Sequence, residues 1–231
     1  MPRTCCRVLR PTLVLLCVLV MTACASPGTA PADTPPEGVL RAYAWQCEDG
    51  QEVLMRNLWR EQAITIALPD GEHRLEQTIS ASGVRYADAG ERIVFWTKGD
   101  TASLARDGAA LVHCQEQRAD SLREDARLRG VSYRALGNEP GWILEIGPQD
   151  RIDWTTNYGS EHLEFTGSTA AVSADGQTRV YTAGQDANSI RATLRTERCV
   201  DDADNAFEYT ALVEYRGTTL RGCATRLAPS E

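Results

Sequence analysis

The chain has 231 residues, a formal net charge of −8 at pH 7, 24% charged residues and 42% hydrophobic residues. That length fits one large domain or two small ones, and the composition is that of a folded protein, which excludes an intrinsically disordered chain. The excess of acidic groups counts against nucleic acid and anionic lipid surfaces as binding partners.

Residues 1–23 are predicted to be a bacterial lipoprotein signal peptide. Three arginines precede the apolar run LVLLCVLVM, which is too short for a spanning helix of about 20 residues. The run leads into MTAC, which resembles a lipobox with Met in place of the commoner Leu, so Cys24 is predicted to carry the lipid, including palmitate. Ala25 and Ser26 follow instead of Asp, which favours the outer membrane, with the protein facing the periplasm. The alternative is an ordinary secretory signal cut after Ala23 or Ala25.

Residues 24–38 are predicted to form a lipidated, flexible tether. The stretch ASPGTAPADTPPEG contains four prolines and no large apolar residue. It would span about 20 Å as a flexible coil and up to about 40 Å as polyproline II. Removing residues 1–23 would take away three arginines and no acidic residue, leaving 21 basic and 32 acidic residues and a net charge of −11. This charge favours a cationic partner.

Cysteine usage is typical of an exported protein. Four cysteines remain once the predicted signal peptide and the lipidated residue are set aside: Cys47, Cys114, Cys199 and Cys223. An even number in an oxidising periplasm predicts two disulfides, for which three pairings are possible. The local pairing, Cys47–Cys114 with Cys199–Cys223, would stabilise each half separately, by about 4 and about 3.5 kcal/mol in the loop-entropy model. No Cys-x-x-Cys spacing occurs, so a zinc site is not predicted.

Residues 39–117 contain a series of short alternating segments, beginning with LRAYAWQC and EVLMRNLW around the turn signal Asp49-Gly50. Further segments follow at intervals of about 8–12 residues, with Gly or Asp at most joints, which predicts an antiparallel barrel or sandwich. Phe95 and Trp96 are neighbours on one predicted strand, so one should face the core and the other the surface.

Residues 118–130 interrupt the strand pattern and are predicted to form a short charged linker helix. Ser121 and Glu124 have the spacing of a capping box, and Gly130 could be the residue after its C-terminus. Residues 131–231 are strand-like again and are predicted to form a second β domain of unknown function. The fold class is therefore all-β, with two small antiparallel barrel-like domains joined by a short helix.

Catalytic signatures are missing, so the chain is predicted not to be an enzyme. It has no G-x-S-x-G, H-E-x-x-H, G-x-G-x-x-G or P-loop motif. The acidic run at 201–205 lacks the Gly and the later Glu of a calcium-binding EF-hand loop. No cofactor or metal is predicted. The least favoured hypothesis is a hydrolase in the second half that uses Glu139 with Asp150 or Asp153.

Two segments of the first half stand out, SGVRY at 82–86 and FWTKGDTASL at 95–104. The second contains Lys98, the only lysine of the chain, although a strong preference for arginine explains its rarity and a lysine before glycine is common turn chemistry. The pattern S-G-x-x-Y, then an aromatic strand ending in K-G-x-x-A-x-L, between two cysteines, resembles the membrane-bound and periplasmic inhibitors of C-type lysozyme. The resemblance covers about residues 40–117, a third of the chain.

The resemblance implies a small antiparallel β-barrel with Cys47 paired to Cys114, and a C-type lysozyme as the partner. Ser82 and Lys98 would enter the lysozyme cleft and meet its two catalytic carboxyl groups, while Tyr86 and Gly99 would shape the loop. The predicted function is therefore an outer-membrane lipoprotein that inhibits C-type lysozyme. The alternative is an envelope binding module for a cell-wall fragment or small ligand. No oligomeric state is predicted.

The second half contains YRALGNEPGWILEI at 133–146 and RGCATRL at 221–227. These resemble an uncharacterised domain of bacterial envelope lipoproteins with a G-N-E-P-x-W motif and a late G-C-A, to which Asn138, Glu139 and Trp142 correspond. A structural corner is the favoured interpretation, and a polar site at a barrel mouth is the alternative. The resemblance implies no activity.

Overall fold

The computed structural model describes residues 35–36 and 38–227, and the predicted signal peptide, Cys24 and most of the predicted tether lie outside them. The first half forms a closed barrel in which each strand pairs antiparallel with the next and the last pairs with the first. Its strands are β1 (Ala42–Cys47), β2 (Glu52–Leu58), β3 (Ala63–Leu68), β4 (Gly71–Thr78), β5 (Val84–Ala87), β6 (Ile93–Lys98), β7 (Thr101–Arg106) and β8 (Val112–Glu116).

The barrel core follows from the alternation of side chains along each strand. In β6, Ile93 and Phe95 are buried, whereas Trp96 and Lys98 are exposed on the outer wall. Closure brings the first and last strands together, so that Cys47 lies directly opposite Cys114, and the two form a disulfide. The bond therefore joins the barrel at its seam.

The linker helix α1 (Arg118–Leu128) begins earlier than its capping pattern predicted. Its N-cap is Gln117, so the predicted capping box is wrong. Ser121 is fully buried, and its hydroxyl accepts a hydrogen bond from the backbone N–H of Ala44 in β1 at 3.0 Å. At the other end, Gly130 adopts a φ of +79° and completes the Schellman pattern of C-terminal hydrogen bonds, as predicted.

The second half is a nine-stranded open half-barrel rather than a closed barrel. Its strands are β9 (Tyr133–Asn138), β10 (Gly141–Ile146), β11 (Ile152–Thr156), β12 (Glu161–Phe165), β13 (Thr169–Val172), β14 (Thr178–Ala183), β15 (Ile190–Val200), β16 (Ala206–Tyr215) and β17 (Thr218–Arg226). The spatial order is β12-β11-β10-β9-β17-β16-β15-β14-β13, so the last strand returns to pair with the first. The fold class is all-β, as predicted.

The core of the half-barrel lies on one face of this sheet, around Trp142, Leu144 and Trp154. The predicted disulfide Cys199–Cys223 is present and links β15 to β17 on either side of β16. Both predicted disulfides are thus confirmed. In the part of the chain that the structure describes, no helix has the length and hydrophobicity needed to cross a membrane.

A buried network of charges joins the barrel, the helix and the half-barrel. Asp125 of α1 accepts a hydrogen bond from the backbone N–H of Arg41 at 2.7 Å and one from Arg129 Nε at 2.8 Å. The same Arg129 donates to Glu145 of β10 at 2.7 Å, and Arg134 of β9 also donates to Glu145. Burial disfavours the charged form of Arg129, but Glu145 and then Asp125 outweigh this effect and raise its pKa.

Candidate functional site

Lys98 is the last residue of β6 and stands at the start of a two-residue hairpin turn. Gly99 occupies the first turn position with a φ of +64°, which a glycine adopts without steric cost. The turn is anchored to β8, because the carbonyl oxygen of Asp100 accepts hydrogen bonds from Gln115 Nε2 at 2.7 Å and from the backbone N–H of Glu116 at 2.9 Å. The base of the lysine side chain is therefore held in a defined position.

Ser82 lies in the loop 79–83 between β4 and β5, and the next residue brings this loop against β6. Gly83 has a φ of +65°, and a Cβ placed there would lie 2.3 Å from the carbonyl oxygen of Thr97 and 3.2 Å from Lys98 Cβ. No side chain fits in that space. The glycine of the S-G-x-x-Y motif thus lets the serine loop touch the strand that ends in the lysine.

Trp96 supplies the second link between the two segments. Its indole Nε1 donates a hydrogen bond to the carbonyl oxygen of Ser82 at 2.8 Å, and its ring is 37% exposed. The sequence predicted that either Phe95 or Trp96 would face outward, but not that the outward residue would hold the serine loop. The sequence contained one indication of this role: Trp96 lies two residues before Lys98, and side chains two apart on a strand point to the same face.

Tyr86 occupies a different environment from the other predicted site residues. It lies in β5 opposite Phe95 of β6 and packs against the barrel core. Burial raises the pKa of its phenol above the ordinary value. The structure thus brings Ser82, Lys98 and Gly99 together at one exposed end of the barrel, while Tyr86 packs beneath them.

A groove of about 720 Å³ adjoins Ser82 and Lys98 on the outer wall of the barrel. Its wall includes one row of paired residues across β6, β7 and β8, namely Trp96, Ser103 and His113. Among the described residues, Lys98 is exposed and forms no ion pair. Its ammonium group is therefore available to an external carboxylate.

The GNEPGW segment of the second half forms the hairpin between β9 and β10. Trp142 is 3% exposed, and a Cβ on either Gly137 or Gly222 would lie within 2.7 Å of its ring. The two motifs of this half therefore meet around one buried indole. Asn138 is tied to Asp202 by a hydrogen bond of 2.9 Å. These contacts give the motif residues Gly137, Trp142 and Gly222 a packing role at this corner, and Asn138 a hydrogen-bonding one.

The carboxylates of the least favoured, hydrolytic hypothesis do not come together. Glu139 precedes β10, whereas Asp153 pairs with Glu145 near the far end of that strand, about 13 Å beyond its first residue at the usual rise per residue. Asp150 lies in the turn at 148–150, which follows the same far end of β10. Asp153 is also bound to Arg151 at 2.8 Å. In residues 35–36 and 38–227, no group of three His, Cys, Asp or Glu side chains is arranged to hold a metal ion.

Comparison with known proteins finds a family match within the barrel. Residues 45–113 match the family described as membrane-bound lysozyme-inhibitor of c-type lysozyme, which confirms the resemblance drawn from the two motifs. The matched segment contains Ser82, Tyr86, Lys98 and Gly99, and it covers less than half of the chain. No curated protein and no solved structure matches the chain.

Proposed function

We propose that the barrel inhibits a c-type lysozyme by placing the ammonium group of Lys98 and the hydroxyl of Ser82 against the two catalytic carboxyl groups. The family match of residues 45–113 supports a lysozyme-inhibitor role, and an inhibitor family agrees with the prediction that the chain is not an enzyme. The observation that carries the finer proposal is the packing of the Ser82 loop onto the end of β6, through Gly83 and Trp96.

The chemistry of the two side chains suits such a target. C-type lysozymes cleave a glycosidic bond with one protonated and one ionised carboxyl group, about 5 Å apart in retaining enzymes. A lysine ammonium is a compact charge on a long stem, which can pair with the ionised group inside a narrow cleft. A serine hydroxyl can donate to one carboxyl oxygen or accept from a protonated one. Gly99 keeps the space beside Lys98 free of side-chain bulk.

The charge of the whole protein supports the same kind of partner. Without residues 1–23 the net charge would be −11. A negative protein attracts a basic enzyme over a distance, which raises the association rate at low ionic strength. Lys98, the one lysine or arginine in the wall of the groove, would then meet the acidic cleft of an otherwise cationic partner.

We further propose that the protein is held at the outer membrane through a lipid on Cys24 and faces the periplasm. The family description, membrane-bound, supports an association with the cell envelope. The proposed anchor and tether precede β1 in the sequence, and a tether of this length would allow the barrel to meet a lysozyme that enters the envelope. Globomycin-sensitive processing and loss of membrane association in Cys24→Ser would test this part.

An inhibition titration tests the function directly. Wild-type protein is expected to inhibit a c-type lysozyme at micromolar concentration or below, whereas Lys98→Ala should weaken inhibition about 30-fold or more because it removes one partner of a desolvated charge pair. Ser82→Ala should weaken it less, by about tenfold. Arg92→Ala is the matched control, since its side chain is 74% exposed and lies away from the groove. Unchanged lysozyme activity with the wild type would refute the function, and full inhibition by Lys98→Ala would refute the residue assignment.

A further inference from the structure

A second candidate site lies on the half-barrel, beside the hairpin between β9 and β10. The cavity there has a volume of about 380 Å³ and opens on the face of the sheet opposite the core. Leu136, Ile143 and Thr155 are paired neighbours on three adjacent strands and line one side of it. This volume is in the range of small-ligand sites.

An exposed aromatic ring covers one end of this cavity. Tyr158 is 77% exposed, and its ring packs on Gly141, where a Cβ would lie 2.6 Å from Tyr158 Cδ1. The backbone that presents the ring is left-handed at Asn157 (φ +51°), Tyr158 (φ +56°) and Gly159 (φ +90°). Asparagine and glycine adopt this region readily, whereas a tyrosine there costs about 1 kcal/mol or more. Gly141 and the strained turn thus hold an aromatic face toward solvent.

Hydrogen-bonding groups surround the apolar surface. The hydroxyl of Thr155 lies 3.0 Å from His162 Nδ1, and the side chain of Asn138 stands at the opposite edge, bound to Asp202. The one charged residue of the cavity wall, Arg134, is neutralised by its ion pair with Glu145. The residues that line the cavity thus provide a polar rim and no uncompensated charge, which favours a neutral ligand.

We propose that this cavity binds a neutral saccharide ring. A pyranose presents C–H groups on one face and hydroxyl groups around its edge, which complements an aromatic plane with a polar rim. The aromatic plane is that of Tyr158, and the edge hydroxyls would meet Thr155, His162 and Asn138. The site shares no residue with the groove beside Ser82 and Lys98. It gives the second half of the chain a binding role of its own.

The test is a titration of the wild-type protein with two neutral probes, an N-acetylglucosamine hexamer and a glucose hexamer, followed by amide chemical shifts. At least one probe should shift the signals of Gly141, Thr155 and Tyr158. Tyr158→Ala should weaken binding about tenfold or more, whereas Tyr158→Phe should bind within about threefold, because stacking needs the ring and the hydroxyl makes only a 3.4 Å contact.

Val200→Ala is the control, since Val200 is half exposed on the same half-barrel and lies outside this cavity. Thr155→Val tests the rim without changing side-chain size and should also weaken binding. No shift with either probe, or equal binding by Tyr158→Ala with an unchanged melting temperature, would overturn the proposal. So would saturation of the same signals by an uncharged detergent but not by a sugar. The experiment contains no lysozyme, so its outcome is independent of the inhibitor proposal.

Discussion

Replacing Trp96 by Phe tests whether the serine loop must be held in place for inhibition. The change keeps an aromatic ring on the outer wall of the barrel and removes the indole N–H that donates to the carbonyl oxygen of Ser82 at 2.8 Å. A neutral hydrogen bond contributes about 0.5–1.5 kcal/mol net, which corresponds to about a 2- to 13-fold change in the inhibition constant. Because the ring is 37% exposed and water can replace the donor, we expect a value near the middle, about fivefold.

The assay is an inhibition titration of c-type lysozyme with Trp96→Phe, and with Trp59→Phe as the matched control in the turn between β2 and β3. A double-mutant cycle with Ser82→Ala separates positioning from general packing. If Trp96 acts by holding Ser82, its replacement should have little further effect once the hydroxyl is gone. Melting temperatures should be similar for all variants, since the hydrogen bond lies at the surface.

Two results would contradict this reasoning. Equal inhibition by the wild type and Trp96→Phe would show that the bond to Ser82 does not limit binding. Fully additive effects of Trp96→Phe and Ser82→Ala would show that the indole contributes to affinity on its own, by direct contact with the enzyme and not through the serine loop.

Three further predictions concern the packing of the serine loop, the buried charges and the electrostatic attraction between this protein and a basic lysozyme. Gly83→Ala should weaken inhibition and lower the melting temperature more than Gly99→Ala does. Both residues have positive φ, but only at Gly83 would the added Cβ lie 2.3 Å from a backbone atom. Equal effects of the two changes would argue against the tight packing of the serine loop. Glu145→Gln should cost about 3 kcal/mol in urea unfolding because Glu145 is buried and its carboxylate pairs with both Arg129 and the largely buried Arg134. The exposed Glu214→Gln should cost about 1 kcal/mol or less, and a similar loss in both would contradict the network. The association rate with a basic lysozyme should fall about tenfold between 50 and 500 mM salt, whereas Lys98→Ala should mainly raise the dissociation rate. An association rate that does not depend on salt would exclude electrostatic steering.

The fold class and the number of disulfides were predictable because their signals are local or can be counted. Alternation in segments such as β6 reports which side chains face the core, and Gly or Asp marks the turns. An even count of four cysteines predicted two disulfides but left three pairings open, and the family resemblance implied that Cys47 pairs with Cys114. The capping box was wrong for a non-local reason: the hydroxyl of Ser121 is used by the backbone of Ala44, which lies 77 residues earlier.

The candidate site was predictable only in part. The two motifs identified Ser82, Lys98 and Gly99 as candidates, and the structure places them at one end of the barrel. The same motif included Tyr86, which proved to pack against the core. The contribution of Trp96 could not be predicted, because its partner is a backbone oxygen 14 residues away whose position depends on how the loop folds back.

The sequence by itself determined that the chain forms strands and that its four cysteines could form two disulfides. These properties depend on residue type and short-range spacing. One lysine and one serine became candidates for contact with an acidic cleft through the resemblance of their motifs to a known inhibitor family. Only the tertiary structure decided that β1 closes against β8, that Gly83 fits against Thr97, and that the second sheet stays open with Tyr158 exposed on its outer face. The physical reason is that closure and close backbone contact depend on how distant segments share space, which no local pattern encodes.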